Sequence, residues 1–281
     1  MIHRGDRLRS SVFYAFSTAC LVLFLFPLVW AVVTSVKPRT EAAASPPTGL
    51  PSRVSFENYD KLARYGEGIW SYVGNSATVA LMTVVLTALV ATLAGYGFSR
   101  FKFRGQGVLF MLILTALMIP FQTIMISLFP LMQTIGLNNS LVGLALVYTT
   151  FQLPFASFLM RNAFDAIPRE LEEAGLIDGG GRWRVLWSVM LPIVRPAVIT
   201  VGLFAFLASW NEFFGALILL SNASKFTLPL ALMNAQTGNF GTIDWGAQQA
   251  GVTLTILPVI VVFLSLQRFY VGGMITGAVK A

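Results

Sequence analysis

The sequence predicts an all-α membrane protein in which six helices cross the bilayer. Of its 281 residues, 56% are hydrophobic and only 11% are charged, whereas soluble domains carry about 25% charged residues. The mean hydropathy is +0.74, and several uncharged stretches reach the ~20 residues that a membrane-spanning helix needs. So few charges cannot cover the surface of a water-soluble chain of this size. A soluble enzyme, a disordered chain and a secreted disulfide scaffold are therefore excluded.

The first two spans follow from the first two uncharged runs. The first span is predicted at 12–36, behind a basic N-terminal segment. It is longer than the ~7–15 apolar residues of a signal peptide, so a cleaved leader is the less favoured alternative. The second span is predicted at 71–97 and is followed by a basic cluster, as expected where a helix leaves the membrane on its cytoplasmic side.

The next uncharged stretch, 105–160, is too long for one span. The turn-forming Gly and Asn residues at 135–140 divide it, which predicts a third span at 107–133 and a fourth at 140–160. A cytoplasmic loop is predicted at 161–195. The fifth span is predicted at 196–220 and the sixth at 249–267. A cytoplasmic tail is predicted at 268–281.

The distribution of basic residues predicts the orientation. Lys and Arg are more frequent on the side that would hold both termini, and cytoplasmic loops are enriched in these residues, so both termini are expected in the cytoplasm. The net charge of +7 fits this bias and does not call for nucleic acid as a partner. With one cysteine, Cys20, and one histidine, His3, no internal disulfide, metal site or histidine-based catalysis is expected.

The cytoplasmic loop at 161–195 carries the most informative pattern. Pro168 and the acidic residues behind it are typical of a helix N-terminus, and the glycine run that begins at Gly179 permits a sharp turn. The helix that follows is expected to be amphipathic, with four large residues on one face: Trp183, Leu186, Trp187 and Met190. A short helix of this kind suits docking into a groove on a cytoplasmic protein, and an interfacial helix lying on the bilayer is the alternative.

Ionisable residues at membrane depth are candidates for function. Glu212 is the only one within the predicted spans, and it adjoins Trp210 and Asn211. Amide and carboxylate groups can bind sugar hydroxyls and an aromatic face can cover a sugar ring, so these three residues are the predicted substrate-pathway contacts. Asn211 is expected to face the cavity, and Glu212 its rim or a partner subunit. The polar outer loop adds two candidate contacts to an external partner: Asn234 and Gln236.

Three parts of the sequence resemble bacterial ABC import permeases. The segment 173–192 is similar to the E-A-A…G…I-x-L-P loop of these proteins, with Gly175 in place of an alanine and Val189 in place of an isoleucine. The stretches 209–220 and 267–281 resemble the shorter six-span subunit of carbohydrate importers of the maltose type. The resemblance covers essentially the whole chain.

This resemblance implies a type I ABC importer permease: a single transmembrane domain of six helices, with a cytoplasmic coupling helix between helices four and five. It implies a transporter subunit and not an enzyme, which carries sugar through half of a translocation pathway in the bacterial cytoplasmic (inner) membrane. The implied partners are a second homologous permease, an ATP-binding cassette ATPase dimer that binds ATP and Mg, and an extracytoplasmic sugar-binding protein. The implied contacts with the ATPase are Glu172, Glu173, Ala174, Gly175, Asp178 and Gly179.

Three other functions stay open at this stage. A permease for another polar solute, such as a polyol or a glycerol-3-phosphate derivative, would share these features, although the absence of Lys and Arg from the predicted spans favours neutral solutes. An intramembrane protease or lipid transferase would need paired carboxylates or a Ser/His set at membrane depth, which Glu212 alone does not supply. A stand-alone secondary transporter would need further ionisable groups for ion coupling.

Overall fold

The described residues form helices joined by turns and loops, with no β-strand among them, as the sequence predicts. A computed structural model describes the backbone of four stretches: 4–44, 46, 48–237 and 244–278. Side chains are described within narrower limits: 9–44, 46, 48–236 and 244–267. The chain divides into two compact units, one made of Met1–Ile69 and Leu232–Pro258 and the other of Trp70–Ala231 and Val259–Ala281.

The first unit begins with helix α1 (Arg4–Ser35), which contains the first predicted span. Only 6% of the apolar window of α1 is buried, so its side chains need lipid or another chain around them. Two short helices follow in the segment between α1 and the second span, α2 (Arg39–Ala42) and α3 (Glu57–Ala63). This segment is called the outer segment for its predicted side of the membrane. Lys37, just before α2, is buried, and its ammonium donates to the Thr48 carbonyl at 2.6 Å.

The second predicted span is helix α4 (Ile69–Arg100), and the third is not a single straight helix. Helix α5 (Gln106–Thr115), extended by one 3₁₀ turn, and helix α6 (Phe121–Thr134) meet at 102°. Ile119 stands between them with extended backbone angles (φ −89°, ψ 120°). The residue before a proline is disfavoured in the helical region and proline donates no backbone hydrogen bond, so Pro120 breaks the predicted span at 107–133 into two pieces.

Helix α7 (Leu141–Asp165) is the fourth span and the most buried, with 44% of its apolar window covered. It begins at Ser140, whose hydroxyl accepts a hydrogen bond from the Gly143 N–H as an N-cap. Helix α8 (Arg169–Ile177) follows after a short turn and lies within the predicted cytoplasmic loop.

The fifth span begins earlier and ends earlier than the predicted 196–220. Helix α9 (Arg182–Val185), a π-helical turn at Leu186–Met190 and helix α10 (Leu191–Asn211) run on as one 30-residue span. The chain then leaves the helical path at Glu212, before the short helix α11 (Phe214–Leu219) begins.

The predicted apolar face of the segment after Gly181 is wrong. Leu186 and Met190 are buried, whereas Trp183 is 65% exposed and Trp187 is also exposed. Leu186 and Met190 are four positions apart and lie on the same side of the helix. The two tryptophans fall on a neighbouring, outward side.

The outer loop predicted at 221–248 contains helix α12 (Leu228–Thr237), and its residues 238–243 lie outside the described residues. The last helix, α13 (Trp245–Ala278), holds the sixth span and continues as helical backbone through most of the predicted tail; 279–281 lie outside the described residues. Within the described chain, five helices are long and apolar enough to cross a membrane, and the bent α5–α6 pair makes six if it counts as one span.

Candidate functional site

Glu172 holds together the end of the second unit at which α4, α7 and α8 meet. The Tyr96 hydroxyl donates to Glu172 Oε1 at 2.7 Å, and Arg100 Nε lies 3.2 Å from Glu172 Oε2. This contact is an ion pair and not a directed hydrogen bond, since Arg100 Nε has no hydrogen-bond acceptor among the described residues. Glu172 therefore attaches α8 to the end of α4.

Arg100 also contacts the end of α7. Its Nη2 donates to the carbonyls of Phe164 and Ile167, each at 2.8 Å, and its side chain is only 5% exposed. A cation beside the last carbonyls of a helix satisfies acceptors that have no partner within the helix and favours the negative end of its dipole. Burying such a charge is costly unless it is paired, so the two carbonyls and Glu172 together stabilise it. The end of α4 thereby joins α7 to α8.

The glycines within α8 and in the turn after it have different structural roles. Gly179 has φ +81°, in the left-handed region, and a Cβ there would meet no atom within 4 Å. Gly180 needs its lack of a side chain for space, because a Cβ would lie 2.6 Å from the Gly175 carbonyl oxygen. At Gly175 a Cβ would approach Val185 Cγ2 at 3.2 Å, so the glycine that replaces the family's alanine lets α8 approach α9 closely.

The six predicted ATPase contacts split into an inner and an outer set. Glu172 and Gly175 are half-buried against the rest of the unit, whereas four residues are exposed: Glu173, Ala174, Asp178 and Gly179. Ile177, beside them, is 85% exposed. An exposed apolar patch bordered by charges is typical of a protein interface, which favours docking of this turn on another chain.

A cavity of about 250 Å³ lies in the second unit, beside the break between α5 and α6. Its described lining combines aromatic rings with polar side chains, chiefly Phe121, Tyr148, Phe151, Gln152, Ser209 and Glu212. A concave site with a few convergent polar groups is the usual form of a small-molecule site.

Glu212 lies on the wall of this cavity because α10 ends just before it. Its backbone is extended (φ −73°, ψ 132°), and its carboxylate accepts the Gly215 N–H at 2.9 and 3.1 Å. The Tyr148 hydroxyl donates to the same carboxylate. The carboxylate thus satisfies an N–H at the start of α11 and ties that helix to α7.

Asn211 and Glu212 have different surroundings, although they are neighbours in the sequence. Asn211 is exposed, its side-chain amide donates to the Leu207 carbonyl of its own helix at 2.8 Å, and it does not line the cavity. Trp210 is buried and stacks on Phe206, with ring centroids 5.7 Å apart. Of the three predicted pathway residues, the structure places Glu212 on the cavity wall.

Sequence reasoning missed Tyr148 and Gln152. Tyr148 is 64 positions from Glu212 in the sequence, and nothing in the local pattern predicts their contact. Gln152 carried a signal: it is an amide side chain within an otherwise apolar predicted span, a position that is costly unless the side chain faces a polar space.

The two outer-loop candidates lie on α12, two positions apart, so they do not face the same side of that helix. Gln236 lines a cavity of about 40 Å³ in the first unit together with Lys61 and Asp244. Asn234 is half-buried. The structure therefore does not combine the two into one surface.

Asp244 is the charged centre of that unit's outer segment. Its carboxylate pairs with the Lys61 ammonium, lies 3.4 Å from Arg39 Nε and accepts the Ala247 N–H at 3.1 Å. Burial works to raise the pKa of Asp244, but the hydrogen bonds from Lys61 and Ala247 and the nearby positive charges outweigh it and hold the pKa below its usual value. Asp244 therefore joins the loop before the sixth span to the loop after the first.

No cluster of His, Cys, Asp and Glu that could hold a metal ion occurs among the described residues. The site chemistry is thus hydrogen bonding, aromatic contact and an exposed protein-binding turn. Together with the membrane-length helices, these features indicate a membrane protein with a polar cavity and an exposed docking turn.

Residues 88–275 match the family described as the binding-protein-dependent transport system inner membrane component. The chain belongs to this family, and it is a multi-pass membrane component of a transporter, with ATP hydrolysis assigned to a separate subunit.

Similar proteins share nearly its full length. The diacetylchitobiose uptake system permease protein DasC of Streptomyces coelicolor is 33% identical over 94% of this chain and 96% of its own. The arabinooligosaccharides transport system permease protein AraQ of Bacillus subtilis is 31% identical over 92% of each chain. A crystal structure of a bacterial ABC transporter involved in the import of the acidic polysaccharide alginate superposes with a TM-score of 0.81, at 23% identity, over 96% of this chain and 99% of that one. This last likeness shows the type I importer permease fold.

Proposed function

We propose that the chain is the permease subunit of an ATP-driven carbohydrate importer in a bacterial cytoplasmic membrane and forms half of its translocation pathway. The observation that carries this proposal is the pair of relatives above, named as uptake permeases for oligosaccharides and matched over more than nine-tenths of this chain. The lining of the second unit's cavity, with aromatic, amide and carboxylate groups, supports a polyhydroxylated substrate.

The turn between α8 and α9 is the proposed contact with the ATPase. Its outward residues Glu173, Asp178 and Gly179 supply the contact surface, and Ala174 lies among them. Glu172 and Gly175 act behind that surface: the first ties α8 to Arg100, and the second lets α8 pack on Val185. A push on the turn would therefore reach α4 and α7 through buried, paired groups.

The proposed assembly contains a second homologous permease, an ATPase dimer and an extracytoplasmic sugar-binding protein. The ATPase dimer supplies the binding sites for ATP and Mg, and this chain needs no cofactor of its own. Asn234 and Gln236 are proposed contacts on the side of the binding protein, and both termini are proposed to lie in the cytoplasm.

The proposal is tested by purifying the complete complex and reconstituting it in liposomes. Labelled disaccharides and oligosaccharides, delivered by the binding protein, are expected to accumulate only when ATP is present. The control is a complex whose ATPase binds ATP but cannot hydrolyse it. If no carbohydrate accumulates and no sugar-loaded binding protein stimulates hydrolysis, the proposed function is wrong.

A further inference from the structure

We propose that the cavity beside the α5–α6 break is a subsite for one neutral sugar ring, which the side-chain amide of Gln152 recognises by hydrogen bonding. This inference rests on the proposed function and adds to it a site, a recognition residue and a substrate class. It assigns a substrate-facing role to a residue of α7, in addition to Glu212.

The cavity exists because the third span is broken. At the break, Ile119 is extended and the axes of α5 and α6 diverge by 102°. The space has a volume of about 250 Å³, and its walls come from the 3₁₀ turn after α5, from α6, from α7 and from α10.

Gln152 is the lining residue with unused hydrogen-bonding capacity. Its side chain is half-buried, faces the cavity and makes no hydrogen bond to any residue that the structure describes. A primary amide offers two donors and an acceptor. A half-buried amide at membrane depth is costly without partners, so the site needs a ligand or water that both donates and accepts.

The other polar groups of the cavity are largely occupied. The Ser209 hydroxyl donates to the Ala205 carbonyl at 2.7 Å, which leaves only its oxygen to accept. The Glu212 carboxylate already receives Tyr148 and the Gly215 N–H. It has about four acceptor positions, so it retains some capacity for a further donor. Gln152 therefore offers the donors, and Glu212 and Ser209 offer acceptors.

The aromatic residues supply the second half of a sugar site. Phe121 and Phe151 meet edge to face, with ring centroids 4.6 Å apart and planes at 84°, so each holds the other's orientation. An apolar ring surface next to free amide and carboxylate groups matches a sugar, which has C–H faces and hydroxyl edges. A hydrocarbon ligand would leave the Gln152 amide unpaired.

The charge of the cavity favours a neutral ring over a charged one. Glu212 is the only carboxylate, and no Lys or Arg contributes to the described lining. An anionic ligand would be repelled by that carboxylate. A cation would compete with the donors that already satisfy it, Tyr148 and the N–H of Gly215.

The first test is Gln152→Met in the complete complex. Methionine keeps the length and flexibility of glutamine and removes its donors and strong acceptor. With diacetylchitobiose as the probe, the uptake rate at saturating loaded binding protein is expected to fall about tenfold, which corresponds to the loss of one or two neutral hydrogen bonds. The control is Thr150→Val, at an exposed position of the same helix that is absent from the described lining, and it should keep the wild-type uptake rate.

The second test measures directly whether sugar occupies the cavity, by the protection of a cysteine placed in its wall. The chain has a single cysteine, Cys20, so a Cys20→Ser background permits labelling at one chosen position. Gln152→Cys is expected to react with a water-soluble thiol reagent, and sugar-loaded binding protein is expected to slow that reaction severalfold. Thr150→Cys is the matched control, since Thr150 lies on the same helix, is exposed and is absent from the described lining.

Unchanged uptake by Gln152→Met, together with sugar-independent labelling at position 152, would overturn the subsite and leave the proposed function standing. If the wild-type complex imports no neutral saccharide at all, the proposed function is overturned and the sugar assignment falls with it.

Discussion

At the scale of single residues, buried or half-buried acidic side chains hold separate chain segments together. Asp244, Glu172 and Glu212 each join segments that are far apart in sequence, and each contacts more than one polar or charged group. A carboxylate has room for several donors, which explains why one acidic residue can stabilise a junction of several chain segments.

Asp244 makes the outer segment sensitive to acid. Because its pKa is lowered on folding, its contribution to stability is present above the ordinary carboxyl pKa of 3.8 and is lost as the pH falls through the lower, folded-state pKa. Asp244→Asn keeps the helix N-cap and loses the ion pairs, so at neutral pH it should destabilise by only about 0.5–1 kcal/mol, since such partly exposed pairs are screened.

The measurement is thermal unfolding of the purified protein as a function of pH. The difference between wild type and Asp244→Asn should disappear in strong acid. Asp244→Ala removes the cap as well and should cost about 1 kcal/mol more at every pH at which the native fold persists. An equal effect of both substitutions would show that the ion pairs contribute nothing.

Glu212 and Asn211 are neighbours in sequence with different surroundings, which makes them a matched pair. Glu212→Ala leaves the Tyr148 hydroxyl and the Gly215 N–H without their acceptor, and each unsatisfied buried group costs about 1–3 kcal/mol. Glu212→Ala should therefore lower both the melting temperature and uptake.

Asn211→Ala removes a bond to a carbonyl that already belongs to a helix, so it should leave the melting temperature nearly unchanged. Uptake and thermal unfolding of both variants are measured side by side. A larger loss of stability in Asn211→Ala than in Glu212→Ala would contradict the arrangement described here.

At the scale of elements, breaks in helices create the functional features. The interruption at Ile119–Pro120 opens the cavity, the one at Glu212 turns a carboxylate toward it, and the turn after Ile177 presents the exposed patch. Irregular backbone at membrane depth is tolerated where it is covered by protein or lines a polar space. Breaks of this kind therefore mark sites.

Substitution of Gly179 tests whether the conformation of the turn between α8 and α9 matters for coupling. Its φ of +81° is unfavourable for a β-branched residue, and a Cβ has open space there, so Gly179→Val should add about 1–3 kcal/mol of backbone strain without a steric clash. We expect insertion in the membrane to be normal, uptake to fall and ATP hydrolysis to lose its response to loaded binding protein.

Gly179→Asn is the control, since asparagine tolerates the left-handed region. It should retain most of the uptake. Normal uptake by Gly179→Val at normal expression would show that the conformation of this turn does not matter for coupling.

At the scale of the whole molecule, the count of spans decides the orientation. The described chain has five helices that can cross the membrane alone, and the α5–α6 pair adds a sixth if it crosses as a bent span. Six spans put both termini on one side, whereas a re-entrant pair would leave five spans and separate them.

We expect both termini to be cytoplasmic. Green fluorescent protein, which fluoresces only inside, and alkaline phosphatase, which is active only outside, are fused in turn to each end. Fluorescence without phosphatase activity is expected at both ends, and the same pair inserted at Gly136, in the turn between α6 and α7, should give the opposite pattern. Opposite results at the two termini would make the α5–α6 pair re-entrant.

The sequence by itself determined the membrane class, the helical fold and the family resemblance. Uncharged runs of sufficient length must form helices in lipid, because no water is present to satisfy the backbone. The special conformation at Gly179 was also expected, since a glycine run after an acidic helix permits a turn that other residues resist. These features depend on composition and on neighbours in the chain.

Only the tertiary structure decided which side chains meet in the cavity. The break at Ile119, the end of α10 at Asn211 and the π-helical turn at Leu186–Met190 each shift the angular phase of the residues that follow. Helical periodicity in the sequence does not show which side of a helix other segments cover, so it grouped the exposed Trp183 with the buried Leu186. Glu212 faces the cavity because its acceptor oxygens find Tyr148 on a different helix, and a contact across 64 positions leaves no trace in local sequence.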